Sequence, residues 1–137
     1  MKHVLSVLVK NQTGVLVRVA SMFSRREFNI DSLAVGVTEN PEFSRITVVV
    51  YGDEYLVDQM MKQLEKLPDV EAVQRLAAGD AVYRGMTMIK VKADDTNRLD
   101  VLKMAELFRA RVIDVQPTTL IFEVTGDDDK VTAFTVS

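Results

Sequence analysis

Asn11 and Gly14, in the run Asn11-Gln12-Thr13-Gly14, have the types and spacing best suited to holding a small charged ligand. A short, apolar, β-branched stretch from His3 to Lys10 ends at this cluster, and helical periodicity begins at Val15, so the loop joins a strand to a helix. The free amides of residues around 14 to 16 then point out of a helix N-terminus, a setting that favours an anion such as a carboxylate. Gly14 lets a ligand approach the backbone closely. The Asn11 side-chain amide carries both a donor and an acceptor, so it can hold a carboxylate and an ammonium. Asn29, in Phe28-Asn29-Ile30, opens the next strand and could supply another such amide. A plainer reading stays open, in which Asn11 and Gly14 only shape a turn and Asn29 only caps the helix exit.

Other chemistry is sparse. The chain has no cysteine, which excludes disulfides, thiolate metal sites and a Cys nucleophile. Its one histidine, His3, cannot build a His-cluster metal site and reads as a polar residue opening an edge strand. There is no Gly-rich phosphate loop, no Gly-x-Ser-x-Gly elbow and no His-Glu-x-x-His helix. The carboxylate pairs Asp53-Glu54 and Asp94-Asp95 fall at helix starts, where capping explains them. Arg25-Arg26 ends a helix and complements its macrodipole, and Asp127-Asp128-Asp129 precedes a helix expected from Lys130, as a charged cap rather than a metal site.

Composition narrows the classes further. The 137 residues carry 17 Lys and Arg against 20 Asp and Glu, a net charge of −3, and 47% are hydrophobic. That is too apolar for a disordered chain, and the acidic balance argues against electrostatic binding of nucleic acid. No apolar run approaches the roughly 18 residues of a membrane-spanning helix. The first residues run straight into a strand pattern without a signal-peptide layout, so the expected location is cytoplasmic.

The elements that must position the loop follow from the periodicity. Val15, Leu16, Val19, Ala20, Met22 and Phe23 fall at helical spacing, with Arg18, Ser21 and Arg25 on the other side. Strands follow over 28–38 and 44–51, separated by a turn at Glu39-Asn40-Pro41-Glu42. Leu56, Val57, Met60, Met61 and Leu64 mark a second helix that Pro68 ends, and 70–77 reads as another strand. The order β-α-β-β-α-β gives an α+β, ferredoxin-like fold: an antiparallel sheet with both helices on one face. A second, degenerate copy follows. It has a strand over 86–93, then a helix with Leu99, Val101, Leu102, Ala105, Leu107 and Phe108, capped by Thr96 or Asp95. Strands over 111–115 and 120–125 flank Pro117. The step from Met22-Phe23 to Ile30-Asp31 recurs as Leu107-Phe108 to Ile113-Asp114, two residues shorter. The expected division is 1–78 and 79–137, with the second unit incomplete and its missing last strand leaving an open sheet edge.

Strand faces point to assembly. Leu5, Val7 and Val9 occupy one face of the first strand and Val4 and Leu8 the other; Ile46, Val48 and Val50 oppose Val49 and Tyr51 in the third. Helices cover only one side, and the other is too apolar for open water. A homodimer that extends or stacks its sheets is the simplest cover; the alternative is that the second unit covers the first.

The residues also carry a resemblance. Leu5-Ser6-Val7-Leu8-Val9, Asn11-x-x-Gly14-Val15-Leu16, Met22-Phe23-Ser24-Arg25-Arg26, Phe28-Asn29-Ile30-Asp31-Ser32-Leu33 and Ser44-Arg45-Ile46-Thr47 resemble the ACT domain of the acetolactate synthase small regulatory subunits. The segment Phe108-Arg109-Ala110-Arg111-Val112-Ile113-Asp114-Val115 is similar to the C-terminal half of the same family. The resemblance implies a subunit with no active site or cofactor of its own. It implies binding to a catalytic partner that holds thiamine diphosphate, Mg and FAD, activation of that partner, and feedback inhibition by a branched-chain amino acid, typically valine. The effector lies between the ACT domains of a homodimer. Carried over by position, Asn11, Gly14, Val15 and Leu16 hold the amino-acid backbone from one chain, and Asn29 and Ile30 complete the pocket from the other.

The resemblance also marks departures. The family runs on for a further helix and strand, a part expected to contribute to contact with the catalytic subunit. Ala93-Asp94-Asp95-Thr96 lacks the Asn-x-x-Gly pattern, so no second amino-acid site is expected there. Two other readings remain beside the leading one: an ACT-type amino-acid sensor for another enzyme, and a ligand-free dimerisation module.

Overall fold

The computed structural model describes residues 1–77 and 79–126. Strand β1 (Lys2–Lys10), helix α1 (Val15–Arg25), strands β2 (Ile30–Val37) and β3 (Phe43–Tyr51), helix α2 (Glu54–Glu65) and strand β4 (Val70–Leu76) follow in that order. The four strands form one antiparallel sheet in the order β2-β3-β1-β4. Then come β5 (Gly85–Lys92), α3 (Arg98–Leu107), β6 (Arg111–Val115) and β7 (Thr119–Gly126), with a second antiparallel sheet in the order β5-β7-β6. The chain divides into two compact units, Met1–Ala81 and Val82–Ser137. The second sheet reproduces the β2-β3-β1 order of the first, and among the described residues the position beside β5 that matches β4 is unfilled. The acidic run 127–129 and the helix expected from Lys130 lie outside the described residues.

Local chemistry explains where the helices start and stop. α1 begins at Gly14, whose φ of 88° is left-handed, and no side chain caps it. α2 begins at Asp53, whose Oδ1 accepts from Leu56 N at 2.8 Å, and it stops at Glu65, three residues before Pro68. α1 and α3 end alike. After α1, Glu27 sits at φ 58°, Phe28 N donates to Phe23 O at 2.9 Å and Glu27 N to Ser24 O at 3.1 Å. After α3, Arg109 sits at φ 55°, Ala110 N donates to Ala105 O at 2.9 Å and Arg109 N to Glu106 O at 3.0 Å. Both are Schellman caps with a non-glycine residue in the left-handed position. The helix-to-strand step that recurs in the sequence is therefore one backbone motif used twice. In the first copy the rings of Phe23 and Phe28 pack edge-to-face, 6.2 Å apart, supplying the apolar contact that accompanies this cap.

Each unit has its own core. In the first, Leu5, Val7 and Val9 of β1 and Ile46, Val48 and Val50 of β3 meet Val15, Val19, Met22 and Phe23 of α1 and Val57, Met60 and Leu64 of α2. The second is smaller, with Leu120, Phe122 and Val124 of β7 against Ala93 and Ala105.

Four sequence expectations need correction. His3 does not open an edge strand: β1 is paired on both sides, by β3 and β4, and His3 is buried. In α1, Leu16 and Ala20 are exposed, because the buried stripe is the narrower set Val15, Val19, Met22 and Phe23. In α3, Leu99 and Leu107 are exposed, since the three strands of this sheet among the described residues offer little area to cover. The residue before α3 is Asn97 rather than Thr96 or Asp95, and it makes no side-chain cap bond. Instead Asp94 and Asn97 build a tight turn: Thr96 N and Oγ1 donate to Asp94 Oδ1, and Asp94 N donates to Asn97 Oδ1.

Candidate functional site

The Asn11–Gly14 loop sits where three connections meet. Asn11 N donates to Glu42 O at 2.8 Å and Asn11 Nδ2 to Pro41 O at 2.9 Å, which ties the loop to the β2–β3 hairpin. Lys10 N donates to Asp69 O at 2.9 Å, which ties it to the turn between α2 and β4. Gly14 closes the loop in a left-handed conformation that an L side chain resists.

Beyond Gly14 the amides are not all equivalent. Val15 N donates to Gln12 O at 3.3 Å, and Gly14 O accepts from Arg18 N at 3.1 Å. The amides of Leu16 and Val17 have no hydrogen-bond partner among the described residues. These two donors, at the positive end of the helix, are the ones open to an anion. Leu16 and Val17 are exposed beside them, whereas Val15 is buried in the core. Val15, its amide engaged by Gln12 O, thus contributes packing only, and Leu16 contributes an apolar surface.

Asn29 and Ile30 are not brought to this loop within one chain. Ile30 pairs with Val50, which also pairs with His3, at one end of the sheet. Asn11 follows Lys10, which pairs with Phe43 at the other end. Seven strand steps separate the two ends, about 23 Å at 3.3 Å per residue. Asn29 is exposed and Ile30 half-buried at the entry to β2.

That strand is the outer edge of its sheet, and it is unusually apolar for an edge. Leu33, Val35 and Val37 are 43, 47 and 61% exposed, although their partners across the ladder, Val48, Ile46 and Ser44, are buried. A shallow groove runs along its second half, lined by Ala34, Val35, Gly36, Thr38, Arg45 and Thr47. A long, apolar, unpaired edge is a template for pairing with another strand. On the reverse face of the sheet Arg45 donates to Ser6 Oγ, and Val4 and Ser6 are buried.

Two charged clusters away from the loop are held by partners of their own. Arg75 donates to both oxygens of Glu54, at 2.5 and 2.7 Å, and its Nη2 lies 2.8 Å from His3 Nδ1. Because a guanidinium only donates, Nδ1 accepts and the ring proton sits on Nε2, which donates to Gly52 O at 3.0 Å. The Arg75 hydrogen bonds hold the Glu54 carboxyl below its ordinary pKa, and those from Thr96 do the same for Asp94. Among the described residues no three His, Cys, Asp or Glu side chains group as a metal site, and no helix is long and apolar enough to cross a membrane.

Sequence reasoning missed two features beside the loop. Arg18 lies on the exposed side of α1, as its spacing has it, but its ion pair with Asp69 spans 51 residues and has no signal in a local window. The exposed edge of β2 had none, since its alternation matches that of a covered strand.

Comparisons with known proteins bear on both halves of the chain. Residues 5–72 match the family model described as the AHAS small subunit-like ACT domain, and residues 84–136 match the model for the small subunit of acetolactate synthase. The chain is 50% identical over 131 residues to the acetolactate synthase small subunit of Mycobacterium avium, covering 96% of this chain and 78% of that one. It is 47% identical to a probable acetolactate synthase small subunit of Archaeoglobus fulgidus, over 98% of this chain and 84% of the other. The crystal structure of the acetolactate synthase small subunit from Thermotoga maritima superposes with a TM-score of 0.93 at 38% identity, over 99% of this chain and 85% of that one.

Proposed function

Since the chain belongs to the family of acetolactate synthase small subunits, the regulatory subunits of that enzyme, we propose that it activates a catalytic acetolactate synthase subunit and makes it sensitive to feedback by valine. The observation that carries the effector half of this reading is the pair of open amides at Leu16 and Val17, behind a left-handed Gly14. They suit an α-carboxylate, Asn11 Oδ1 is left to accept from an ammonium because Nδ2 is engaged by Pro41 O, and exposed Leu16 offers apolar contact to a branched side chain. In this reading residues 1–78 bind the effector and dimerise, and 79–137 form the C-terminal domain. Thiamine diphosphate, Mg and FAD belong to the catalytic partner, and the assembly works in the cytoplasm.

The separation of Asn29 and Ile30 from the loop supports a homodimer joined along β2. Two β2 edges paired antiparallel about a two-fold axis bring the Ile30 end of each strand against the Val37 end of the other. Val37 pairs with Ser44, at the same end of the sheet as the loop. The partner's Asn29 and the partner's Ile30 then come to the loop end of this chain, and the site is completed by two copies. Valine that binds between them favours one arrangement of the dimer. A catalytic subunit that prefers another arrangement is inhibited by linkage.

Thermal unfolding of the purified chain against each of the twenty amino acids tests the effector reading. A ligand at about 100 times its Kd stabilises by roughly 2.7 kcal/mol, which is several degrees for a domain of this size. A shift confined to valine and its near relatives is the expected result. No shift with any amino acid in a folded dimer removes the sensor reading for the isolated subunit. Co-purification with the catalytic subunit, and its rate with and without this chain, tests the partner.

A further inference from the structure

One acidic residue outside the Asn11–Gly14 loop contacts both the residue before it and the helix that follows it. Asp69 O accepts from Lys10 N at 2.9 Å, immediately before the loop. Asp69 Oδ2 accepts from Arg18 Nε at 2.5 Å, and the two side chains are 17 and 50% exposed. Arg18 in turn lies back along α1 over the end of the loop: a Cβ placed on Gly14 would come within 3.2 Å of its Nη1. Side chains on a helix lean towards its N-terminus, so the guanidinium lies over Gly14 because Arg18 is four residues on. Asp69 then fixes which way it points.

We propose that Arg18 and Asp69 are positioning residues for the amino-acid site, and this rests on the reading of the loop as that site. The clamp has two effects. It packs a planar group against Gly14 in the left-handed conformation that aims the Leu16 and Val17 amides outwards. It also keeps the guanidinium engaged through Nε, so that its position over Gly14 is fixed. The pair adds little to global stability, because a half-exposed ion pair contributes little to folding. Its effect is on the geometry of the loop, and removing either partner releases the same restraint.

Calorimetric titration of valine, leucine and isoleucine tests this on the full chain and on Asp69→Asn, Arg18→Gln and the double variant. Asp69→Asn is expected to weaken the best-bound amino acid by on the order of 5- to 10-fold, the lower range of couplings between a site and groups outside it. Arg18→Gln should match it, and the double variant should be no worse than either single one. Without ligand, the three variants should unfold near the wild-type temperature, while the 15N–1H resonances of Leu16 and Val17 shift in each. If Asp69→Asn leaves affinity unchanged or raises it while Arg18→Gln lowers it, Arg18 touches the ligand directly and the clamp is overturned. Unchanged affinity in all three overturns it as well. Failure of the wild type to bind any of the three amino acids overturns the site itself and the clamp with it.

Discussion

Gly14 carries two constraints at once. Its φ of 88° disfavours any L side chain, and an added Cβ would lie 3.2 Å from the Arg18 guanidinium. Gly14→Ala is therefore expected to destabilise the first unit by about 1–2 kcal/mol, the cost of a left-handed non-glycine residue. Urea denaturation measures it as a lower midpoint with an unchanged slope. Glu54 tests the electrostatics. Its folded pKa is depressed, chiefly by the hydrogen bonds from Arg75. The stability it contributes is thus present above the ordinary carboxylate pKa and lost as pH falls through the lowered folded value. Glu54→Gln should lower the neutral plateau of a stability-against-pH curve by the small amount expected of a solvated ion pair and converge on wild type in acid, so that the acid limb is shallower by that same amount. An acid limb identical to wild type would remove Glu54 from that account.

At the scale of elements, the two Schellman caps are the clearest local signature of the repeat. Glu27 and Arg109 hold left-handed φ values that glycine adopts without strain. Relief of about 1–2 kcal/mol of backbone strain, set against a glycine entropy cost of roughly 0.5–1 kcal/mol, gives Glu27→Gly a net stabilisation of about 0.5–1 kcal/mol. A rise in the thermal midpoint checks it. The hairpin turn at 39–42, the stop at Pro68 and the Asp53 cap were all legible because each depends on residues adjacent in sequence. The stripe of α3 was not, since a helix of this amphipathic pattern buries only what its sheet can cover. Leu99 and Leu107 stay exposed over three strands.

For the whole molecule, two separate cores imply separable folding. Residues 1–81 bury thirteen side chains in one cluster spanning both helices and the central strands. That fragment is expected to unfold cooperatively by itself. Coincident far-ultraviolet and fluorescence-probe transitions measure this, and a broad, non-cooperative melt would show that the second unit is needed. The second unit, whose described residues form a cluster of five, is expected to be the less stable of the two.

Periodicity and turn chemistry alone were enough to read the α+β class, the β-α-β-β-α-β order, the repeated helix-to-strand step and the strand-to-helix loop at Asn11–Gly14. Each of these is written in residues close together along the chain, where 2.0 and 3.6 periods and breaker residues act directly. Tertiary structure decided what depends on pairing across long separations. It made β1 an interior strand and so buried His3 against Gly52 and Arg75. It set Asn29 and Ile30 at the far end of the sheet from Asn11, and it joined Arg18 to Asp69. Strand order and register govern all three, and they are fixed by which hydrophobic faces pack together, which no local window contains.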